Sequence, residues 1–189
     1  MKTIKENLTN TIIVEKSEFI TELIKVKDIQ TVKEELIKVR ERHKDATHYC
    51  YAYIIDDNKK SSDDGEPGGT AGVPMMEVLN KFDLNYVLCI VIRYFGGIKL
   101  GAGGLVRTYR KSVIEALKQI ETKELIDGYN IIIELPYNKQ NELEYILKGT
   151  YTKEYQENVI YNITCSDKEK ELLETKFNII KEEKRKIEI

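Results

Sequence analysis

Residues 87–105 read VLCIVIRYFGGIKLGAGGL, and this stretch combines the three features that decide the fold. The run Val87–Arg93 is apolar up to its last residue, which is typical of a strand that is buried on both faces. A glycine-rich loop follows, and then apolar residues recur at helical spacing at Leu105, Tyr109, Val113, Leu117 and Ile120. This order of strand, loop and helix predicts a mixed domain built around the strand.

The residues before this stretch alternate between strand and helix periods. A hairpin is expected around Lys16 and Ser17, and Pro74 suits the first turn of a helix. The predicted elements are, in chain order, strands Thr11–Val14 and Phe19–Val26, a helix over Val32–His43, strand His48–Ile55 and a helix from Pro74 to Phe82.

The chain after Gly128 begins a new pattern. Its predicted order is strand Tyr129–Leu135, helix Asn138–Leu147, strands Thr150–Gln156 and Asn158–Cys165, helix Lys168–Asn178 and strand Ile179–Ile187. Ser166 or Asp167 is expected to cap the second of these helices, without a strict capping box. We therefore predict two domains, 1–127 and 128–189, with a βαββαβ ferredoxin-like arrangement in the second.

Composition narrows the class of protein. The 189 residues are 41% hydrophobic and 33% charged, which excludes a disordered or collagen-like chain. Thirty basic and thirty-two acidic residues give a net charge of −2, so the chain is no polybasic nucleic-acid coat. No apolar run reaches the roughly 18 residues of a membrane-spanning helix, and no secretory signal is visible, so we expect a cytoplasmic protein.

Three cysteines, Cys50, Cys89 and Cys165, each lie in an apolar strand-like run. They are widely spaced and form no Cys/His cluster, so we expect buried, reduced thiols rather than a zinc site. No resident metal or cofactor is predicted.

A first candidate site is the acidic loop that begins at Asp63, whose carboxylates stand at Asp63, Asp64 and Glu66. Such a cluster could hold a hard cation or, with His48, supply an acid/base pair. The alternatives are a solvated turn whose aspartates bind backbone amides, and a histidine that is structural. The candidate catalytic residues are therefore His48, Asp63, Asp64 and Glu66.

A second candidate site is the glycine loop before the helix at Leu105. Its amides and basic residues match a phosphate or a nucleic-acid backbone, although the spacing fits neither GxGxxG nor a P-loop. Glycines also occur where a helix and a strand pack closely, and that alternative stays open. The candidate binding residues are Arg93, Tyr94, Gly96, Gly97, Lys99, Gly101, Gly103, Gly104, Arg107 and Arg110, with Gly65 and Thr70 of the acidic loop.

A third feature is the tyrosine face of the strand after His48. Alternation places Tyr49, Tyr51 and Tyr53 on one side of that strand. They could form a platform on which bases stack, or they could pack beneath a helix. No Ser/His/Asp hydrolase signature is visible.

These motifs together resemble the YigZ/IMPACT family. The resemblance spans about residues 15–120 and rests on Asp45-Ala-Thr-His48, Cys50-Tyr-Ala-Tyr53, Ser62-Asp-Asp-Gly-Glu-Pro67, Gly69-Thr-Ala-Gly72, Arg93-Tyr-Phe-Gly-Gly-Ile-Lys-Leu-Gly101, Gly103-Gly-Leu-Val-Arg107 and Tyr109. Relatives often carry a serine where this chain has Gly68, so a serine nucleophile at that position is not possible here.

The resemblance implies an α+β protein. Its N-terminal domain is expected to be a βα sandwich like the second domain of a ribosomal small-subunit protein and domain IV of elongation factor G. Its C-terminal domain is expected to be ferredoxin-like, similar to domain V of that factor. Eukaryotic relatives regulate translation during amino-acid starvation, and bacterial relatives have no settled biochemical role.

Three hypotheses follow. The leading one is a cytoplasmic translation-associated protein that binds RNA, the ribosome or a translation-factor partner, with Arg93, Lys99, Arg107 and Arg110 meeting phosphates. The second is a hydrolase that depends on a metal or on phosphate and uses His48 and the acidic loop. The third is a protein–protein adaptor that makes no contact with nucleic acid.

Overall fold

The computed structural model describes residues 1–188. The chain forms two compact units that divide between Lys123 and Glu124. The predicted boundary lies four residues later, because the strand that was expected to start at Tyr129 begins at Thr122 and crosses the division.

The first unit contains a five-stranded sheet and three helices. Its elements are β1 (Lys2–Ile4), β2 (Leu8–Val14), β3 (Ser17–Lys25), α1 (Ile29–Arg42), β4 (His48–Ile55), β5 (Asn58–Ser62), α2 (Gly72–Lys81), β6 (Val87–Tyr94) and α3 (Gly101–Leu117). The strand order is β2-β3-β6-β4-β5, and every pair is antiparallel. All residues from Val87 to Arg93 are buried, so the predicted central strand is confirmed.

The core of this unit lies between the sheet and the pair α2 and α3. Phe19 of β3 meets Tyr109 of α3 edge to face, with ring centroids 5.3 Å apart. Fully buried aliphatic side chains such as Leu79 and Val91 pack around them, and each contributes about 1.5–3 kcal/mol of transfer free energy. The opposite face of β4 packs against α1, where the Arg40 guanidinium lies 4.4 Å from the centroid of the Tyr49 ring.

Two short strands, β1 and β5, were not predicted. The β5 sequence is NKKSS, which carries no apolar alternation, so pairing with β4 rather than local pattern makes it a strand. The three helices of this unit also start earlier than expected. α2 begins at Gly72 instead of Pro74, and α3 begins at Gly101 and ends before Ile120.

The second unit is a four-stranded antiparallel sheet with two helices. Its elements are β7 (Thr122–Leu135), a 3₁₀ turn at Tyr137–Lys139, α4 (Gln140–Ile146), β8 (Thr150–Tyr155), β9 (Val159–Ser166), α5 (Asp167–Glu174) and β10 (Ile179–Glu188). The strand order β10-β7-β9-β8 and the βαββαβ sequence of elements are those of a ferredoxin-like fold.

The start of α5 corrects one expectation, because it carries a full capping box. The Ser166 hydroxyl accepts a hydrogen bond from the Glu169 amide at 3.4 Å. The Glu169 carboxylate in turn accepts from the Ser166 amide at 2.9 Å. Sequence spacing alone allowed Asp167 as the cap, whereas the backbone places Ser166 there.

The three cysteines are free and buried, as predicted. Burial raises the pKa of Cys50 to about 12 and the pKa of Cys165 to about 11, so both thiols stay protonated at neutral pH. Among residues 1–188, the helices are too short or too polar to cross a bilayer.

Candidate functional site

A buried ion pair lies at the centre of the candidate site. Arg93 at the end of β6 donates from Nη1 to Glu66 Oε1 at 2.6 Å, and the two side chains are only 6% and 3% exposed. The Tyr109 hydroxyl of α3 donates to the same carboxylate oxygen at 2.7 Å. Phe19 and Phe95 flank the guanidinium, with ring centroids 5.3 and 5.4 Å from its central carbon. Both charges are therefore neutralised inside the protein.

Two neighbours extend this cluster. His48 Nδ1 lies 2.9 Å from the Asp64 carbonyl oxygen, which can only accept, so Nδ1 carries the proton. Its Nε2 lies 3.8 Å from Glu66 Oε2. The Cys50 sulfur lies 3.3 Å from the Tyr109 hydroxyl, which burial and the nearby Cys50 and Glu66 keep neutral by raising the pKa of that tyrosine. We call His48, Cys50, Glu66, Arg93 and Tyr109 the buried cluster.

The first aspartate of the acidic loop, Asp63, accepts hydrogen bonds from backbone amides at the start of α2. One Asp63 oxygen accepts from the amides of Ala71 and Gly72 at 2.9 and 2.8 Å, and the other accepts from Gly69 at 2.8 Å. Burial disfavours its charged form, but these three amides outweigh burial and hold the pKa of Asp63 below its usual value. Asp63 thus fixes the loop to the helix.

The second aspartate joins the loop to β4 and α1. Asp64 accepts from the Tyr49 amide at 2.7 Å and from Arg40 Nη2 at 2.6 Å. Within the loop, the Thr70 hydroxyl donates to the Pro67 carbonyl at 2.6 Å, and Gly65 adopts a φ of +86° below the His48 ring. Thr70 and Gly65, predicted as binding residues, are therefore part of the loop's own framework.

These contacts change the interpretation of the acidic loop. Asp63, Asp64 and Glu66 each face internal donors instead of converging on a shared cation. Across the described chain, 1–188, no three His, Cys, Asp or Glu side chains are grouped so that they could hold a metal ion. The hydrolase hypothesis uses His48 and these carboxylates, and both Asp63 and Asp64 are engaged by backbone amides.

The glycine loop divides into a packed part and an open part. At Gly96, a Cβ would lie 2.0 Å from the Lys16 carbonyl oxygen in the β2–β3 turn, so close packing requires glycine here. Its amide donates to Ser17 Oγ at 3.1 Å. Gly97 and Gly101 have φ of +88° and +69° and face open space.

Arg93 does not have the role that the sequence predicted, and Arg110 already has an ion-pair partner. Arg93 is buried against Glu66, so it cannot meet a phosphate from outside. Arg110 is exposed but forms an ion pair with Glu77. Tyr94 is half-buried, and its hydroxyl lies 3.0 Å from His43 Nδ1.

Lys99 and Arg107 remain exposed, and neither forms an ion pair with another of the described residues. α3 has no acidic residue in its first turn, and Leu100 provides no side-chain cap. Unsatisfied amides therefore give this end of the helix a partial positive charge. The Arg107 guanidinium adds positive charge at this helix start, because its Nη1 would lie 3.4 Å from a Cβ placed on Gly103.

We call the exposed residues of 97–107 the loop surface. They are Gly97, Ile98, Lys99, Gly101, Ala102, Gly103 and Arg107.

The tyrosine face packs beneath α1, which was the second of the two alternatives. Tyr49 and Tyr53 are buried, and the Tyr49 hydroxyl donates to the His43 carbonyl at the end of α1. The rings of Tyr51 and Tyr53 are stacked on each other, with centroids 6.5 Å apart.

Sequence reasoning missed two contributors. Arg40 lies in a charged stretch of α1 that gave no sign of its bond to Asp64, 24 residues away. Ser17 was treated only as a turn residue, although its hydroxyl accepts from Gly96 and lies 3.5 Å from Arg93 Nη2. One sequence signal could have identified Ser17 as a contributor, because it is a polar residue at the start of a strand in which apolar residues alternate.

Comparison with known proteins agrees with this arrangement of motifs. Residues 15–117 match the Impact N-terminal domain family. The chain is 42% identical over 177 residues to IMPACT family member YvyE of Bacillus subtilis, covering 88% of this chain and 80% of that protein. It is 37% identical over 139 residues to IMPACT family member YigZ of Escherichia coli, covering 71% and 68%. A solved structure described as that of a hypothetical protein aligns with a TM-score of 0.72 at 29% identity, covering 94% of this chain and 95% of the other.

Proposed function

Since the chain belongs to the IMPACT family, we propose that it is a translation-associated regulatory protein that binds RNA or the ribosome through the loop surface. The observation that carries this proposal is the presence of two exposed, unpaired cations, Lys99 and Arg107, beside the uncapped start of α3. The predicted likeness of the two units to domains IV and V of elongation factor G supports the ribosome as the place of action. We expect the protein to act in the cytoplasm.

Phosphate is the chemical group that the loop surface fits best. Backbone amides at a helix start attract anions, and the positive end of the helix adds to the charge of the two side chains. Glycines at 101, 103 and 104 carry no side chain that would keep a phosphate away from those amides. Because the contacts are electrostatic, binding should weaken as the salt concentration rises.

The test compares two double variants of the full chain. Lys99→Ala/Arg107→Ala removes the cations of the loop surface, and Lys33→Ala/Lys44→Ala removes the same charge from exposed positions on and after α1. Binding to a labelled single-stranded RNA and to purified ribosomes is measured at several salt concentrations. We expect only the first variant to bind more weakly, with a salt slope smaller by about 1.4 for two lost phosphate contacts.

Equal weakening by both variants would show a general charge effect and would contradict a defined surface. Absence of binding by the unmodified protein to both RNA and ribosomes would contradict the proposal as a whole.

One observation favours a second candidate, the protein–protein adaptor. Phe95 and Ile98 are 45% and 39% exposed in the same glycine loop, and exposed apolar side chains are typical of protein contacts. Capture of a translation factor from lysate that survives nuclease treatment and is lost on Ile98→Ser would support the adaptor. Capture that disappears with nuclease treatment would support RNA binding.

A further inference from the structure

We propose that the chain forms a twofold dimer through antiparallel pairing of β8 with β8 of a second copy. β8 lies at the edge of the second sheet, where it pairs only with β9 among the described strands. All six of its residues, Thr150 to Tyr155, are exposed. An exposed edge strand is a template for pairing with another chain.

The backbone groups of β8 fix which residues can pair outward. The Gln156 amide donates to the Asn158 carbonyl at 2.9 Å, so the backbone N–H and C=O of Gln156 face β9. These backbone groups alternate in direction from one residue of an antiparallel strand to the next, so those of Thr152 and Glu154 also face β9. Tyr151, Lys153 and Tyr155 therefore present their N–H and C=O groups away from the sheet.

Aromatic side chains line the same edge. Tyr151 and Tyr155 are 39% and 58% exposed, and Tyr137, 49% exposed, stacks on Tyr155 with ring centroids 6.1 Å apart. Tyrosine is enriched in protein interfaces because it brings a large contact area at low entropy cost. Threonine and tyrosine also favour the extended backbone that strand addition requires.

Charge identifies the occupant as a second copy. Residues 148–157 contain two lysines and two glutamates, so this edge has no net charge with which to attract a polyanion. An antiparallel copy can bring Lys148 of one edge opposite Glu154 of the other, and the twofold symmetry makes this contact twice. Both side chains are exposed, and neither has an ion-pair partner within residues 1–188.

Charge also selects the register. If Tyr151 lies opposite Tyr151 of the second copy, Lys148 faces Glu154 and Thr150 faces Thr152, so opposite charges meet and like charges do not. An axis at Lys153 would place two lysines opposite each other, and an axis at Thr152 would leave Lys148 opposite Gln156. The selected register also sets outward-pointing residues against outward-pointing residues, as backbone hydrogen bonding requires.

The first test measures mass. Sedimentation of the full chain should give a concentration-dependent species of twice 22.0 kDa. Lys153→Pro and Lys153→Ala both remove the lysine charge, but only proline also removes an outward-pointing N–H. We expect the proline variant to be monomeric and the alanine variant to dimerise, and both to keep the far-ultraviolet circular dichroism of the unmodified protein. A monomeric unmodified protein, or a proline variant that dimerises normally, would overturn the proposal.

The second test checks the register with a covalent link. The three native cysteines are buried, so a cysteine placed on β8 is the accessible thiol. Under mild oxidation, Tyr151→Cys should give a disulfide-linked dimer, because symmetry places that residue opposite itself. Glu154→Cys is the matched control and should remain unlinked, because it faces Lys148. Efficient linkage through position 154 and not through position 151 would refute the register.

Discussion

The buried cluster and the loop surface come from the same set of sequence motifs, yet the fold uses them in opposite ways. Arg93 and Arg107 lie 14 positions apart in the chain. Arg93 is 6% exposed and bound to Glu66, whereas Arg107 is exposed at the start of α3. A motif residue can therefore be required by the fold or by a ligand, and charge alone does not tell which. The two roles can be separated by measuring stability and binding on the same variants.

The largest expected effect is that of Arg93→Ala. The change leaves the Glu66 carboxylate buried without its cation, which costs about 3–5 kcal/mol of folding free energy. Urea denaturation followed by circular dichroism measures this loss. Arg107→Ala is the matched control, and we expect it to stay within about 0.5 kcal/mol of the unmodified protein. Equal losses in the two variants would abolish the distinction between the regions.

Gly96→Ala should produce the next largest loss. The new Cβ would lie 2.0 Å from the Lys16 carbonyl, so the loop or the β2–β3 turn must move. Overpacking of this kind costs about 1–3 kcal/mol. Gly68→Ala is the control, because a Cβ at Gly68 meets nothing within 4 Å. The same denaturation measurement applies. A Gly96→Ala protein as stable as the control would show that the packed part of the glycine loop can move without a loss of folding free energy.

Asp63→Ala should cost about 1–2 kcal/mol at neutral pH, because the start of α2 loses its carboxylate acceptor. The pKa of Asp63 is lowered in the folded protein, so its stabilising contribution is present above the unfolded value of about 3.9. That contribution is lost as the pH falls below this value through the folded pKa. Stability curves of the two proteins should therefore converge in acid and separate at neutral pH. A constant difference at all pH values would contradict the role of the ionised carboxylate.

The smallest effect on stability is expected for Lys99→Ala/Arg107→Ala. Both side chains are exposed and lack ion-pair partners among the described residues, so the folding free energy should change by no more than about 0.5 kcal/mol. Their RNA or ribosome binding should nevertheless fall. A double variant that loses stability and keeps binding would show that Lys99 and Arg107 serve the fold and not a ligand.

The elements that have strong local sequence patterns were predicted correctly. The apolar run Val87–Arg93 became the central strand, and the alternation of strands and helices after Gly128 became the βαββαβ unit. Local pattern fails where a partner far along the chain decides the outcome. The polar strand β5 forms by pairing with β4.

The candidate site shows the same limit. The sequence pattern singled out Glu66 and Arg93, but they lie 27 positions apart, so the pattern did not show that they neutralise each other. Asp63 gave a clearer local signal, since the interpretation of an aspartate that binds nearby amides was available from the start and its amide donors lie within nine positions.

The position of Tyr109 gives a spectroscopic marker of the folded core. Its phenol is enclosed by Glu66 and Cys50, and burial together with these neighbours raises its pKa far above that of a solvated tyrosine. The protein has 12 tyrosines and no tryptophan, so its near-ultraviolet spectrum belongs to phenol groups. During alkaline titration, exposed tyrosines ionise reversibly, and Tyr109 becomes phenolate only when the chain opens. The last absorbance step at high pH should therefore coincide with unfolding and report directly on this enclosure.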